Sequence, residues 1–359
     1  VPGFFRFFKG LNILLIFVPI SGLLALYFKQ PLWIFVSAAL AIVPLAGLMG
    51  ESTEELAKHL GPQWGGLVNA TFGNATELII GLFALHQGLL ELVRASIIGS
   101  VIGNILLVMG AAVLCGGIKN GAQQFNRDHA RSQGLNLLLA VVSLAVPAIF
   151  AANVGTAHIK AAPLRNLSVG VSLLLLATYI ASLAFSWSRR EEHMHAQEVQ
   201  EDLPGWTRPL AYTVLAIASL GISIESELLV RSVEGATRAI GVNQLFVGII
   251  IVPIIGNAAE HSTAVTMALK NKMDIAMSIA VGSSTQVAMF VAPVLVLASV
   301  ALGHSLSYIF SVPELTAVGF AVIIAAFLAN DGKSHWLYGA QLLSAYAIIA
   351  LAFYFLPFP

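Results

Sequence analysis

From about residue 10 onward the chain reads as a series of apolar stretches, each near 20 residues long and parted by short turns. A helix crossing the hydrocarbon core of a bilayer needs about 20 consecutive apolar residues. Eleven such segments are centred near residues 19, 43, 75, 104, 142, 176, 220, 256, 287, 320 and 347. The turns carry Lys29-Gln30-Pro31, Gly61-Pro62, Gly116-Gly117, Asn271-Lys272 and Asn330-Asp331-Gly332. Charged residues make up 10% of the chain, against roughly 25% in a soluble domain, so there is too little polar surface to face water. The expectation is an all-α integral membrane protein of about 11 transmembrane helices, with the lipid bilayer as its first partner. The first apolar run follows Arg6 and Lys9 without an A-x-A cleavage site and reads as a first span.

Other classes fall away on composition and motif. Net charge is zero and no long basic run exists, which argues against a nucleic-acid partner. Cys115 is the single cysteine and has no partner for an internal disulfide. The chain has neither H-E-x-x-H nor a Ser/His arrangement suited to an intramembrane protease, so an enzyme is not expected. The sequence is compatible with a homo-oligomer.

One stretch, SRREEHMHAQEVQEDLPGW at 188–206, is strongly polar and divides the chain. The expected organisation is a first span over 1–30, a five-helix repeat over 31–187, a linker over 188–206 and a second five-helix repeat over 207–359. With the N-terminus in the cytoplasm, twelve Lys and Arg fall on the cytoplasmic side and six on the other. Positive loops stay inside, so the expectation is N-terminus in, C-terminus out, linker cytoplasmic.

A duplication organises the apolar runs. GNATE at 73–77 is matched by GNAAE at 256–260, an offset of 183, and Gly99-Ser100 is matched by Gly282-Ser283 at the same offset. Upstream, Glu54 precedes Gly61 and Glu234 precedes Gly241 by the same interval. Five spans per half is an odd number, so the second half enters the membrane reversed. Inverted repeats of this kind place a binding site at their interface near the midplane.

Glu77 and Glu260 stand near the middle of their spans. An ionised group there costs about 2.5–3.5 kcal/mol on insertion scales, and such groups serve ion or proton pathways. Gly73, Gly256 and Pro253 are poor residues for an unbroken helix. A break frees carbonyl oxygens, tolerated at that depth only beside a cavity. Asn74 shares a helix face with Glu77, and Asn257 with Glu260. On the following span of each half, Ser100 and Asn104 are four apart and Ser283 and Gln286 three apart. Two carboxylates with neutral oxygens suit a hard divalent cation, and Ca²⁺ takes 6–8 oxygen ligands. Two protons neutralise the same pair of carboxylates, and buried, cation-free carboxylates hold protons the more firmly when paired. A site that is neutral in either loaded state, and costly when empty, crosses only when loaded.

GNATELIIGLFAL with GSVIGN, and VGIIIVPIIGNAAEH with KMDIA and VGSSTQVAMFVAPVLV, resemble the two α-repeats of the calcium/proton exchanger (CAX) family, within the cation/calcium exchanger superfamily. The likeness covers nearly the whole chain, including the one-plus-five-plus-five plan and the acidic linker. It implies that Glu77 and Glu260 bind Ca²⁺ and exchange it for H⁺. Asn257, Ser283 and Gln286, with Asn74, Ser100 and Asn104 opposite, would complete or flank the site. It also implies secondary acidic positions at Glu54 and Glu234, and a gating or proton-transfer role for His261. Plant and fungal members often carry long N-terminal extensions, whereas ten residues precede the first span here. The resemblance therefore implies a prokaryotic plasma membrane, or a vacuolar membrane if the source is eukaryotic. Sodium-coupled relatives typically show GTSxPE in place of GNxxE, which leans towards protons.

Plainer roles stand beside these. Asn74 and Asn257 could bridge helices, Ser100 and Ser283 could serve close packing after glycine, and His261 could be a packing residue. Glu54, beside Glu51 and Glu55, could belong to a solvated face; Glu234, between Arg231 and Arg238, reads as a surface ion pair. Exchange of Mn²⁺ or another divalent cation, or Na⁺ coupling, are the nearest alternatives. A passive channel is disfavoured because channels usually place their filter on an axis between subunits.

Overall fold

A computed structural model describes residues 11–154, 161–194 and 205–356. The chain is helical almost throughout. In order, the helices are α1 (Asn12–Phe28), α2 (Pro31–Gly61), α3 (62–72), α4 (Ala75–His86), α5 (Leu90–Asn120), α6 (Arg127–Val154) and α7 (Ala161–Met194). After the linker come α8 (Arg208–Ile240), α9 (Gln244–Gly256), α10 (Ala258–Leu269), α11 (Met273–Ala301), α12 (Val312–Asp331) and α13 (Trp336–Tyr354). A two-residue ribbon pairs β1 (Gln123–Gln124) with β2 (Lys333–Ser334) antiparallel. Among the described residues, eight helices are long and apolar enough to cross a membrane, and nine if the bent pair α9–α10 counts as one. The two remaining predicted segments are present as shorter apolar helices, α1 and α4.

Local sequence explains where the helices stop. Pro31 occupies the first turn of α2, where its missing N–H is not needed. At the far end Gly61 has φ 79° and ψ 172°, outside the helical range, and α3 resumes after it. Ser311 accepts from the backbone N–H of Glu314, whose carboxylate accepts from the Ser311 backbone, a reciprocal cap on α12. The polar stretch opens in helical backbone. Helix α7 continues through 188–194 to Met194, where Arg, Glu and Met are good helix formers. Of the rest of the linker, 195–204 lies outside the described residues.

Apolar burial centres on α5, whose most apolar window is 83% buried. Ile98, Val101, Ile102, Ile105 and Leu106 of that helix are shielded from all sides. Helices α2 and α8 pack along their lengths, with α1 laid against both. Leu45, Met49, Ala218 and Ile222 form the seam of this second cluster.

The polar end of that seam holds a contact that composition did not mark. Glu55 is buried, and its carboxylate accepts from the backbone N–H groups of Gly205 (2.6 Å) and Trp206 (3.0 Å) and from Lys58 (2.7 Å). A His59 ring nitrogen lies 2.7 Å from the Trp206 carbonyl. The end of the linker is thus pinned to the end of α2. Leaving such donors unpaired costs about 1–3 kcal/mol. Glu55→Ala is expected to speed hydrogen exchange at the Gly205 and Trp206 amides roughly 5- to 150-fold, read by mass spectrometry.

Candidate functional site

The offset of 183 seen in the motifs extends through the backbone. Helix α4 begins at Ala75 and ends at His86; α10 begins at Ala258 and ends at Leu269. Both are preceded by an Asn that has left helical geometry, Asn74 at φ −109°, ψ 24° and Asn257 at φ −95°, ψ 10°. The break bends α9 against α10 by 62°. In each half the Asn carbonyl accepts the first amide of the new helix, from Leu78 (3.1 Å) and from His261 (3.0 Å). The next turn repeats as well. Gly88 at φ 76° corresponds to Asn271 at φ 59°, and Asn is among the few residues with a side chain that accept the left-handed region. Helices α5 and α11 then start at corresponding positions, and each contains a widened π-type turn, over Gly103–Val108 and Val287–Val291. Such turns re-aim side chains and frequent functional sites.

These breaks bring the polar side chains of both halves together. Asn74 Nδ2 donates to Gln286 Oε1 (2.5 Å), and Ser283 Oγ donates to Asn74 Oδ1 (3.0 Å). Asn104 Nδ2 donates to Ser283 Oγ (2.9 Å) and, at 3.5 Å, to Asn257 Oδ1. Asn257 Nδ2 donates to the Pro253 carbonyl (3.0 Å) and more weakly to Ser100 Oγ (3.4 Å). Six neutral residues from four helical segments are therefore joined in one set, and all but Gln286 are buried.

The acids lie in the first turns of α4 and α10. Glu77 rests on the opposite half. A Cβ added to Gly256 would stand 3.4 Å from Glu77 Cγ and 3.5 Å from its Oε1, so glycine there admits the carboxylate. Glu260 stands one turn after Asn257, in the first turn of α10. Both oxygens of Glu77, Oε2 of Glu260 and Oδ1 of Asn104 are buried with no hydrogen-bond partner. All four are acceptors. Native interiors leave few such atoms unpaired. A cleft beside it is lined by Glu77, Ser96, Ser100, Pro253, Val287 and Leu295. Among the described residues no group of three or more His, Cys, Asp or Glu side chains is placed to hold a metal ion; the set here consists of two acids and neutral oxygens.

All eight residues expected at the site converge there. The three gating candidates differ. His261 follows Glu260 on α10, and its backbone N–H donates to Asn257, but its ring has no bond to the set among the described residues. Glu54 is 62% exposed and pairs with Lys58 at 3.5 Å; Glu234 is 49% exposed and pairs with Arg238 at 3.4 Å. Neither reaches the paired acids. Sequence reasoning passed over Glu55, described above, and Glu225, a buried acid on α8. The signal for Glu225 was available: it interrupts the apolar run of α8 much as Glu77 interrupts its own.

The two flanks of the site are packed differently. On one, α9 lies backbone to backbone on α5: a Cβ on Gly99 would stand 2.2 Å from the Ile249 carbonyl oxygen, and one on Gly248 would stand 2.4 Å from Ala95 Cβ. At the positions 183 residues away, no described residue lies within 4 Å of a Cβ on Gly282, and a Cβ on Gly65 would instead stand 2.6 Å from the Ala57 carbonyl oxygen. One flank is closed, and among the described residues its counterpart shows no such contact at Gly282.

Broken apolar helices that bring polar side chains together are the plan of many secondary transporters. Residues 30–188 and 210–355 match the model of the sodium/calcium exchanger protein family, and the chain belongs to that family. It is 45% identical over 362 residues to a protein of Synechocystis sp. named Ca(2+)/H(+) antiporter, covering 96% of this chain and 97% of the other. It is 43% identical over 344 residues to the Ca(2+)/H(+) antiporter ChaA of Bacillus subtilis, covering 94% and 97%. The solved structure of native YfkE superposes with a TM-score of 0.84 at 40% identity, covering 96% of this chain and all of that one. The crystal structure of the H+/Ca2+ exchanger CAX, at 15% identity and a TM-score of 0.74 over 98% of this chain and 92% of that one, shares the fold.

Proposed function

We propose that this chain exchanges Ca²⁺ for H⁺ across its membrane by alternating access, with Glu77 and Glu260 as the shared sites. The observation that carries this is the group of four unpaired buried acceptors, three of them carboxylate oxygens. Ca²⁺ bound there replaces its water with the two carboxylates and the amide and hydroxyl oxygens of Asn74, Asn104, Asn257, Gln286, Ser100 and Ser283. Two protons discharge the same acids without a cation. The names of the Synechocystis and B. subtilis relatives support this pair of substrates.

The two five-helix halves, 31–187 and 207–359, act as inverted repeats about the site, with 188–206 as the cytoplasmic linker. With the N-terminus inside, as the Lys and Arg distribution favours, the closed flank of α5 and α9 is external. The described conformation then offers the site to the cytoplasm, and transport requires α3 to close on α11 while α9 parts from α5. The packing asymmetry at Gly99 and Gly282 supports that cycle.

The test is ⁴⁵Ca²⁺ uptake into proteoliposomes that are acid inside and alkaline outside. Uptake that collapses when a protonophore equalises the pH supports exchange. Uptake indifferent to the pH gradient contradicts it.

A further inference from the structure

Among the described residues, three acids outside the paired site are buried, Glu55, Glu225 and Glu314. Glu55 and Glu314 are capped by backbone N–H donors at helix ends, whereas Glu225 is set within a span. Glu225 stands near the middle of α8 with 1% of its surface exposed. Its Oε1 lies 2.8 Å from Ser21 Oγ on α1, a hydroxyl whose single proton the Val18 carbonyl also faces at 2.8 Å; its Oε2 is buried without a partner, as is the hydroxyl of the adjacent Ser226. Ser21 itself is fully buried. None of the ion pairs among the described residues includes Glu225.

The helices packed on α8 supply no counter-charge. Helix α1 carries no ionisable side chain before Tyr27, exposed at its far end. Over 32–49 α2 has none, and its acids, Lys58 and His59 gather at the end near the linker. Helices α3 and α9 have none. Helix α4 offers Glu77, which lies against Gly256, and His86 at its last residue. On α8 itself, Glu227 and Arg231 pair with each other, as do Glu234 and Arg238, and Tyr212 is exposed.

The ligand class follows by counting oxygens. Glu225 offers two, Ser21 and Ser226 one each, while Ca²⁺ takes 6–8. A single proton on Oε2 completes the group, because Oε1 already faces the Ser21 hydroxyl. A charged carboxylate with at most one hydrogen bond would be costly at that depth.

We propose that Glu225 is a proton-binding site separate from the paired acids, and that its occupancy sets how firmly α1 holds to α8. The inference rests on the exchange reading above. With the proton on Oε2 the neutral acid is compatible with the closed α1–α8 contact. Release leaves a carboxylate and a proton that passes to water, and so requires the contact to part. Because α8 packs against both α2 and α4, the proton acts on the helices that lead to the site.

Two measurements test it. Glu225→Gln keeps the shape and an oxygen to face Ser21, so folding is preserved. In an E77Q/E260Q background, infrared titration is expected to show a protonated-carboxyl C=O band, shifted in D₂O, that is lost when E225Q is added. Ser21→Ala is expected to move that band to higher frequency, since it removes the hydroxyl that faces the C=O. In the otherwise natural chain, E225Q is expected to abolish one pH-dependent component of the maximal uptake rate and to leave KM for Ca²⁺ unchanged. An unaltered band on adding E225Q, or a pH profile the same as that of the natural chain, overturns the proposal. The failures are distinct: a natural chain without pH-driven uptake overturns the exchange reading, whereas pH-driven uptake that E225Q leaves untouched overturns this one.

Discussion

Glu77→Gln and Glu260→Gln are each expected to lower Ca²⁺ uptake roughly 100-fold while leaving the protein folded. The reasoning is charge balance at depth. With both acids ionised, bound Ca²⁺ is neutralised; with one replaced by an amide, the loaded site keeps one positive charge. A charge at mid-membrane costs about 2.5–3.5 kcal/mol, which is roughly 70- to 400-fold in affinity. Gln fills nearly the same volume, so packing beside Gly256 is retained. Glu77→Asp separates charge from reach: it keeps the charge and withdraws the carboxylate from Gly256 by one methylene, and is expected to fall between Gln and the natural residue. Uptake assays on matched amounts of reconstituted protein read all three. Wild-type rates in either Gln variant would remove that acid from the site.

The glycines at the flanks give the second large effect, because they are equivalent in sequence and unlike in surroundings. A methyl on Gly99 would meet the Ile249 backbone at 2.2 Å, and backbone cannot move aside as a flexible side chain can. Overpacking of this kind costs about 1–3 kcal/mol and occasionally more. Gly99→Ala is therefore expected to lower the thermal unfolding temperature, since it opposes the conformation described. Gly282→Ala meets no described residue within 4 Å in that conformation, so its unfolding temperature should match that of the natural chain. If the halves exchange roles during transport, Gly282 must approach the α3 backbone as Gly99 approaches Ile249, and the methyl then obstructs the step. Turnover is expected to drop roughly 5- to 150-fold. Gly282→Ala that transports normally would mean that the two flanks do not alternate.

Much of this was legible because the chain says it twice. An Asn and a Glu three residues apart after a glycine, set in an apolar run and repeated at 183, located both helix breaks. The i,i+3 and i,i+4 partners on the next span then named the neutral oxygens. Pairing between the halves was not legible. That Ser283 lies between Asn74 and Asn104 depends on how α4, α5 and α11 cross, and spacing along one helix carries no such information. Symmetry also concealed the difference between Gly99 and Gly282, which belongs to a conformation and not to the composition. Glu225 had no echo: near the corresponding place on α2 the seam is apolar, with Leu45 facing Gly221, so a reading guided by duplication passed over it. Among Glu51, Glu54 and Glu55, which acid is buried depends on where Gly205 docks, a long-range contact that the run of acids does not encode.

The central claim is that one pair of acids holds either Ca²⁺ or protons. Counting the protons released when Ca²⁺ binds to the purified protein in weakly buffered solution, near the pH at which the acids are protonated, tests it most directly. About two protons per Ca²⁺ are expected from the natural chain, by charge balance at two carboxylates, and none from the E77Q/E260Q variant. Ca²⁺ binding by the natural chain that releases no protons across the pH range would contradict the account.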